Sequence, residues 1–151
     1  MPGPARRRRE LVLFCCWTAS RQQRLDRRTL ARAMRLVGAW QADVVRPLRA
    51  ARRALARALP AVELVMGEAA AASIDPAREA LKRGVTEIEL EAEYVEQTLL
   101  AQYAESLPAA ARPLPAPLAA RASLVRYLAL LGVAEGAAQA EVDALVSVFE
   151  Q

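Results

Sequence analysis

A repeat of apolar residues between Leu81 and Tyr103 constrains the fold of this chain more than any other feature of its sequence. Its members follow one another at spacings of four and three, with a last step of four: Leu81, Val85, Ile88, Ala92, Val95, Leu99 and Tyr103. Such a heptad rhythm predicts an amphipathic helix that packs lengthwise against another helix. Asp75 and Pro76 suit its cap and first turn, so we expect one helix of about 30 residues that begins there.

A second apolar face, on residues 41–59, is a suitable partner for this helix. The residues that share the face are Val44, Leu48, Ala51, Leu55 and Ala58. Pro47 lies inside the segment, so the helix either kinks there or restarts with Pro47 in its first turn. We expect the two segments to pack antiparallel, with their apolar faces joined and an arginine rim against the glutamates that flank the repeat.

Five arginines opposite the apolar face of residues 41–59 form the candidate interaction surface. They are Arg46, Arg49, Arg52, Arg53 and Arg57. A cationic row of this kind suits nucleic acid, an anionic surface or an acidic partner. A solvated helix face that pairs in part with the acidic half of the chain is the plainer interpretation, because residues 1–60 carry a net charge of +12 and residues 61–151 carry −8. The sequence leaves both alternatives open.

The composition favours helix and disfavours catalysis. Alanine, leucine, arginine and glutamate dominate, and these are strong helix formers, so we expect an all-α protein. Histidine is absent, which removes the commonest general base and the commonest metal ligand. No catalytic motif, phosphate-binding glycine loop or metal-ligand spacing is present, so we expect neither an enzyme nor a bound cofactor or metal.

An apolar segment, LVLFCCW at residues 11–17, follows four arginines. It predicts a helix over residues 10–20 that is surrounded by other helices, with Phe14 and Trp17 as its main contributions to the core. A secretory signal is the alternative, but the apolar run is short and a small-residue cleavage site is poorly matched. It is also shorter than the ~20 residues that span a bilayer. We expect a cytoplasmic protein in which Cys15 and Cys16 are buried, unreactive thiols.

Proline and glycine divide the rest of the chain. Asp26 is suited to cap a second helix with an apolar face at Leu30, Met34 and Val37. We expect a single helical domain, 1–151, with a disordered basic arm (1–9), a main bundle (10–106), a Pro-rich connector (107–117) and a docked C-terminal helical hairpin (118–150). Gly132 is suited to end the first helix of that hairpin.

Two motifs carry a family resemblance: Leu-Phe-Cys-x-Trp at Leu13–Trp17 and Val-Val-x-Pro-Leu-Arg at Val44–Arg49. With the stretches ELEAEYVEQ and RASLVRYLALLG, the chain resembles, over about residues 11–149, a family of small helical proteins from proteobacteria whose function is uncharacterised. The resemblance implies a cytoplasmic, all-helical protein and supplies no functional residues. Members of that family have a further helical segment ahead of the first motif, where this chain has MPGPARRRR. If that segment is missing, we expect the apolar helix at residues 10–20 to lack a neighbour and to promote self-association.

The sequence therefore predicts a helical bundle built on a long antiparallel hairpin, with a C-terminal pair of short helices. Its function is expected to be that of a non-catalytic adaptor or accessory protein that binds an unknown protein partner or a second copy of itself. Binding of nucleic acid or another anionic surface through the Arg46–Arg57 row is the alternative. No base-reading motif or stacking aromatic residues accompany the arginines, which weakens that alternative.

Overall fold

The computed structural model describes residues 9–57, 59–134 and 136–150, and all regular structure in these ranges is helical. The helices are α1 (Arg9–Ser20), α2 (Arg27–Trp40), α3 (Arg46–Ala56), α4 (Pro60–Met66), α5 (Glu68–Glu105), α6 (Ala116–Leu130) and α7 (Gln139–Ser147). The prediction of an all-α, small helical bundle is confirmed. The predicted basic arm lies outside the described residues except for Arg9, the first residue of α1.

The chain forms two compact units. The first comprises the residues up to Val37 and those from Gln97 onward, and the second comprises Gly38–Glu96. The expected division into arm, bundle, connector and docked hairpin within a single domain stays a prediction.

The first unit is organised around an apolar core. In this unit α6 packs along α1, and α7 packs against α6. The largest apolar side chains of the core are Leu11, Phe14, Leu25, Leu30, Val37, Leu100, Leu124, Tyr127, Val142 and Val146. These side chains come from α1, α2, the last turns of α5, α6, α7 and the loop before α2, so every element of the unit contributes to one continuous core.

Helix α1 is covered mainly by α6. Phe14 is buried and its ring stacks on that of Tyr103, with 6.2 Å between the centroids. Trp17 is 39% exposed, with the Arg21 guanidinium 5.1 Å above its ring. The expectation that Trp17 is a main core residue is therefore wrong, because its indole instead holds a cation near the surface.

Hydrogen bonds attach the loops of the first unit to its helices. The Asp26 carboxylate accepts from the Thr29 amide at 2.7 Å, which confirms the predicted cap of α2. The Leu25 amide donates to Ser123 Oγ on α6 at 2.9 Å. Within the predicted Pro-rich connector (107–117), whose last two residues belong to α6, the Leu114 amide donates to the Gln22 carbonyl at 3.0 Å. Buried or part-buried loop polar groups thus find partners on neighbouring segments.

Two glycines lie at helix boundaries, and one proline lies inside a helix. Gly132 (φ +75°) follows the end of α6, as predicted, and Gly67 (φ +87°) separates α4 from α5. The predicted start of the long helix at Asp75 is wrong, because α5 begins at Glu68 and contains Pro76 inside it. Residues 68–73 are mostly alanine, the best helix former, so the helix extends ahead of the proline.

Pro47 lies in the first turn of α3, the second of the two predicted alternatives. A π-helical segment, Gln41–Val45, joins α2 to α3 just before it. A proline lacks an amide proton and its ring crowds the carbonyl four residues earlier. The wider π turn places this irregularity where the α-helical hydrogen-bond pattern is already interrupted.

Loss of a core side chain in α6 is expected to destabilise the protein. Leu124 is 2% exposed, so Leu124→Ala should lower the free energy of unfolding by about 2–5 kcal/mol. Leu118→Ala, at a position 55% exposed on the same helix, should change it by less than about 0.5 kcal/mol. Urea unfolding followed by circular dichroism measures both, and equal effects would contradict the described core.

The two thiols are expected to differ in reactivity. Burial, with a further contribution from Cys16, raises the pKa of the Cys15 thiol, and burial raises that of Cys16 to a lesser extent. A thiol reagent should therefore modify Cys16 slowly and Cys15 only on unfolding. Rapid modification of Cys15 in the folded protein, read by mass spectrometry, would contradict its place in the core.

Candidate functional site

The predicted arginine surface and the glutamates of the long helix meet inside the second unit. The Trp40 indole N–H, just before the π-helical segment, donates to the Ala92 carbonyl at 2.8 Å. Near the other end of α3, Arg78 Nη1 donates to the Arg57 carbonyl at 2.5 Å. Contacts move toward the start of α5 as the chain moves forward along α3. The two helices are therefore antiparallel, as predicted.

An ion-pair network joins α3 to α5. Arg49 Nε donates to Glu89 Oε1 at 2.9 Å, and Arg49 Nη2 donates to Glu93. Arg52 Nε donates to the second Glu89 oxygen at 2.7 Å. Glu89 is 7% exposed and both of its oxygens are occupied by guanidinium groups. We call these four side chains the Arg–Glu network.

The network keeps Glu89 charged despite its burial. Burial by itself raises the pKa of a carboxyl, but the hydrogen bonds from Arg52 and Arg49 outweigh it and hold the pKa of Glu89 below its ordinary value. Burial also opposes the charge of Arg49, but the hydrogen bonds that Arg49 donates to Glu93 and Glu89 outweigh it and raise the pKa of Arg49. A paired carboxylate can be buried in this way because charge-assisted hydrogen bonds replace its water.

The predicted arginine surface is divided by this arrangement. Arg49 and Arg52 point toward α5 and are paired, which corrects the placement of all five arginines on one outer face. Arg46, Arg53 and Arg57 are exposed, and within the described ranges their side chains form no ion pair.

The predicted apolar seam is wrong for one of its two rows: Ala92 is buried and Val85 and Leu99 are partly buried, as expected, but the other row is not covered. The side of α5 that turns inward carries Glu89, Ala92 and Glu96, all of them buried. Four apolar residues at seven-residue spacing are exposed instead, and we call them the apolar edge of α5: Ile74 (38%), Leu81 (61%), Ile88 (52%) and Val95 (39%). Pairing of Glu89 with two arginines of α3 rotates the edge away from that helix.

The α3 side of the predicted seam and the last residue of the repeat on α5 also differ from expectation. On α3, Val45 just before the helix is buried whereas Ala51 is exposed, and Ala58 lies outside the described residues. At the far end of the repeat, Tyr103 belongs to the first unit and stacks on Phe14. A regular repeat in the sequence thus serves different neighbours along its length.

The apolar edge has a characteristic flank. Glu87 and Glu91 lie one residue before and three residues after Ile88, both are exposed, and neither forms an ion pair within the described residues. Gly84 lies between Leu81 and Ile88, and a side-chain carbon added there would contact nothing within 4 Å. The apolar edge is therefore accessible to solvent, it is flanked by negative charge beside Ile88, and at Gly84 no side chain projects from the helix.

Further large apolar side chains of the second unit are exposed on α4. Leu64, Val65 and Met66 are among the most exposed apolar residues of the described chain.

None of the described helices combines the length and the apolar character needed to cross a membrane. Within the same ranges, no three Cys, Asp or Glu side chains converge in a way that could hold a metal ion.

Comparison with known families now places the chain. The model of a family described as Protein of unknown function (DUF2390) matches residues 8–100. The chain belongs to DUF2390. The matched part includes α1 to α4, most of α5 and therefore the whole Arg–Glu network and the apolar edge. The resemblance to an uncharacterised family is confirmed to this extent; its proteobacterial origin and its extension to residue 149 stay predictions. Neither a curated protein nor a solved structure matches this DUF2390 chain.

Removal of Arg49 from the network is expected to destabilise the protein. Arg49→Met leaves Glu89 buried with one guanidinium instead of two, which should cost about 1–3 kcal/mol of unfolding free energy. Arg53→Met, at an exposed position on the same helix, should cost less than about 0.5 kcal/mol. Because the pKa of Glu89 is lowered, its contribution is present above the ordinary glutamate pKa of about 4.3 and is lost as the pH falls through the lowered value.

Urea unfolding at pH 7 and at about pH 3 reads both effects. The difference between the wild type and Arg49→Met should shrink as the pH falls through the lowered pKa of Glu89. An Arg49→Met variant as stable as Arg53→Met at pH 7 would contradict a structural role for the network.

Proposed function

We propose that this DUF2390 protein is a non-catalytic helical interaction protein that uses the apolar edge of α5 to bind an amphipathic helix of another protein. The single observation that carries the proposal is the row Ile74, Leu81, Ile88 and Val95, exposed at seven-residue spacing along one helix. Single exposed apolar residues are ordinary on protein surfaces, whereas four that share one edge of a helix indicate an interaction site.

The geometry of the edge suits a helix as the ligand. From Ile74 to Val95 the row extends over about 30 Å at a rise of ~1.5 Å per residue. Seven-residue spacing matches the repeat with which one helix presents side chains to another. The small surface at Gly84, between Leu81 and Ile88, allows a partner backbone to approach closely.

The charges beside the edge favour a basic partner. Glu87 and Glu91 are exposed and carry negative charge beside Ile88. A partner helix with apolar residues at the same spacing and lysine or arginine at its flank would complement both features. An acidic partner would meet like charges there, which opposes association.

The placement of the network supports a surface role rather than catalysis. Glu89 and Glu93, which lie one helical turn apart on α5, are engaged by Arg49 and Arg52. Ion pairing and burial of this kind orient two helices, and they leave those carboxylates without the open position that acid–base chemistry needs. We include in the proposal that the protein acts in the cytoplasm, as the resemblance implies.

Binding of an anionic surface through α3 is the second candidate function. The observation that favours it is the exposure of Arg46, Arg53 and Arg57, which the network leaves unpaired among the described residues. Phosphates bind such a row without any apolar contact, and their binding weakens steeply with salt.

Capture of partners from a native cell lysate tests the leading proposal. The wild type and Leu90→Ser should retain the same specific protein, and Ile88→Ser should lose it, because Ile88 lies on the edge and Leu90, which is 61% exposed against 52% for Ile88, lies on the opposite face. Retention of every partner by Ile88→Ser would contradict the proposal. Light scattering of the purified proteins adds a second readout: a wild-type dimer that Ile88→Ser abolishes would assign the edge to a second copy instead.

A further inference from the structure

A second cationic surface lies on α2, in the first unit. Arg28, Arg32 and Arg35 follow one another at spacings of four and three, which places them on one face of the helix within about 10 Å of axial rise. All three are exposed. The opposite face carries Leu30, Ala33 and Val37, which are buried in the core of the first unit. We call Arg28, Arg32 and Arg35 the α2 row.

The charge of the α2 row is not compensated by the residues around it. No side chain of the row forms an ion pair within the described ranges. Arg24 and Arg27, at the start of the helix, add two more exposed cations. Asp26 is the one acidic residue between positions 21 and 35, and its carboxylate already accepts the amide of Thr29. Like charges one helical turn apart repel, so an anionic ligand would relieve that repulsion.

The chemistry of the face favours a phosphate backbone over a protein partner. Protein interfaces are anchored by large apolar or aromatic side chains, and the outer face of α2 presents arginine and alanine instead. Phosphate contacts need only positive charge and hydrogen-bond donors, and the planar guanidinium supplies both. The apolar edge of α5 has the opposite character, with apolar anchors and acidic flanks.

The two faces of α2 favour duplex nucleic acid over a membrane or a single strand as the source of the phosphates. Amphipathic helices that bind membranes insert their apolar face, but the apolar face of α2 is buried in the protein core. Surfaces for single-stranded nucleic acid stack bases on aromatic rings, and the exposed residues of α2 include none. A duplex keeps its bases stacked internally and presents rows of phosphates to a rigid charged surface.

We propose that the α2 row binds the phosphate backbone of double-stranded DNA without reading its base sequence. The guanidinium groups of Arg28, Arg32 and Arg35 donate to phosphate oxygens, and Arg24 and Arg27 extend the contact toward the start of the helix. Binding releases condensed counterions, so the binding constant is high at low salt and falls as salt is added. The steepness of that fall is proportional to the number of phosphates that the protein neutralises.

Fluorescence anisotropy of a labelled 20-base-pair DNA duplex, titrated with the full chain at several salt concentrations, tests the proposal. The variant Arg28→Gln/Arg32→Gln/Arg35→Gln removes the row, and Arg46→Gln/Arg53→Gln/Arg57→Gln removes the same charge from α3. The wild type should bind, with the logarithm of its binding constant falling linearly with the logarithm of salt. Loss of three phosphate contacts should reduce that slope by about 2–3 in the α2 variant. The α3 variant tests the second candidate function in the same assay: if the α2 row is the duplex site, the α3 variant should keep the wild-type slope.

Three results would overturn the proposal. One is absence of binding by the wild type at about 50 mM salt, where phosphate contacts are strong. Another is an unchanged slope in the α2 variant when circular dichroism shows it folded; loss of binding in the α3 variant alone would then assign DNA binding to α3. The third is tighter binding of a single strand or of poly-glutamate than of the duplex, because either result would mean that the protein has a higher affinity for another anion than for duplex phosphates.

Discussion

Pairing of Glu89 with Arg49 and Arg52 is the interaction on which the organisation of the second unit depends. It is a buried carboxylate held by two guanidinium groups, one of which also reaches Glu93. A buried, fully hydrogen-bonded charge has few alternative positions, since any rotation of α5 that removes it from the arginines leaves it desolvated and unpaired. The network therefore fixes which side of α5 turns toward α3.

The orientation of α5 determines which of its side chains are exposed. A helix that turns a charged side inward must turn part of its apolar side outward, and the exposed Ile74, Leu81, Ile88 and Val95 are that part. The first unit is organised in the ordinary way, with apolar side chains from several helices in one core. The two units thus differ in the kind of side chain they bury, and the unit that buries charge is the one that presents an apolar row.

Local signals in the sequence predicted much of the fold. Asp26 caps α2 and Gly132 ends α6 because capping and a positive φ depend on one or two residues and their own backbone. The helical class follows from propensity summed over the chain. The start of α5 was predicted too late, since the cap and proline signals at Asp75 and Pro76 are outweighed by the run of alanines before them.

The orientation of α5 could not be predicted from the sequence because it is a property of two helices. The heptad pattern identifies an apolar side, but that side is wide, and the neighbour decides which part of it is covered. The sequence predicts an outer row of four arginines on α3 with Arg57 after it, and an arginine rim against the glutamates of α5. It does not predict that Glu89 is buried between Arg49 and Arg52. The α2 row is not among the sequence-based predictions, because the exposure of Arg28, Arg32 and Arg35 and their lack of ion pairs among the described residues required the coordinates.

Cysteine accessibility measures the orientation of α5 most directly. In a background without the native thiols, Ile88→Cys and Ala92→Cys place one reporter on the apolar edge and one on the side that faces inward. The account predicts that a thiol reagent modifies the cysteine at position 88 about as fast as an unfolded chain and that the cysteine at position 92 is protected. Protection at position 88 with rapid modification at position 92 would contradict it.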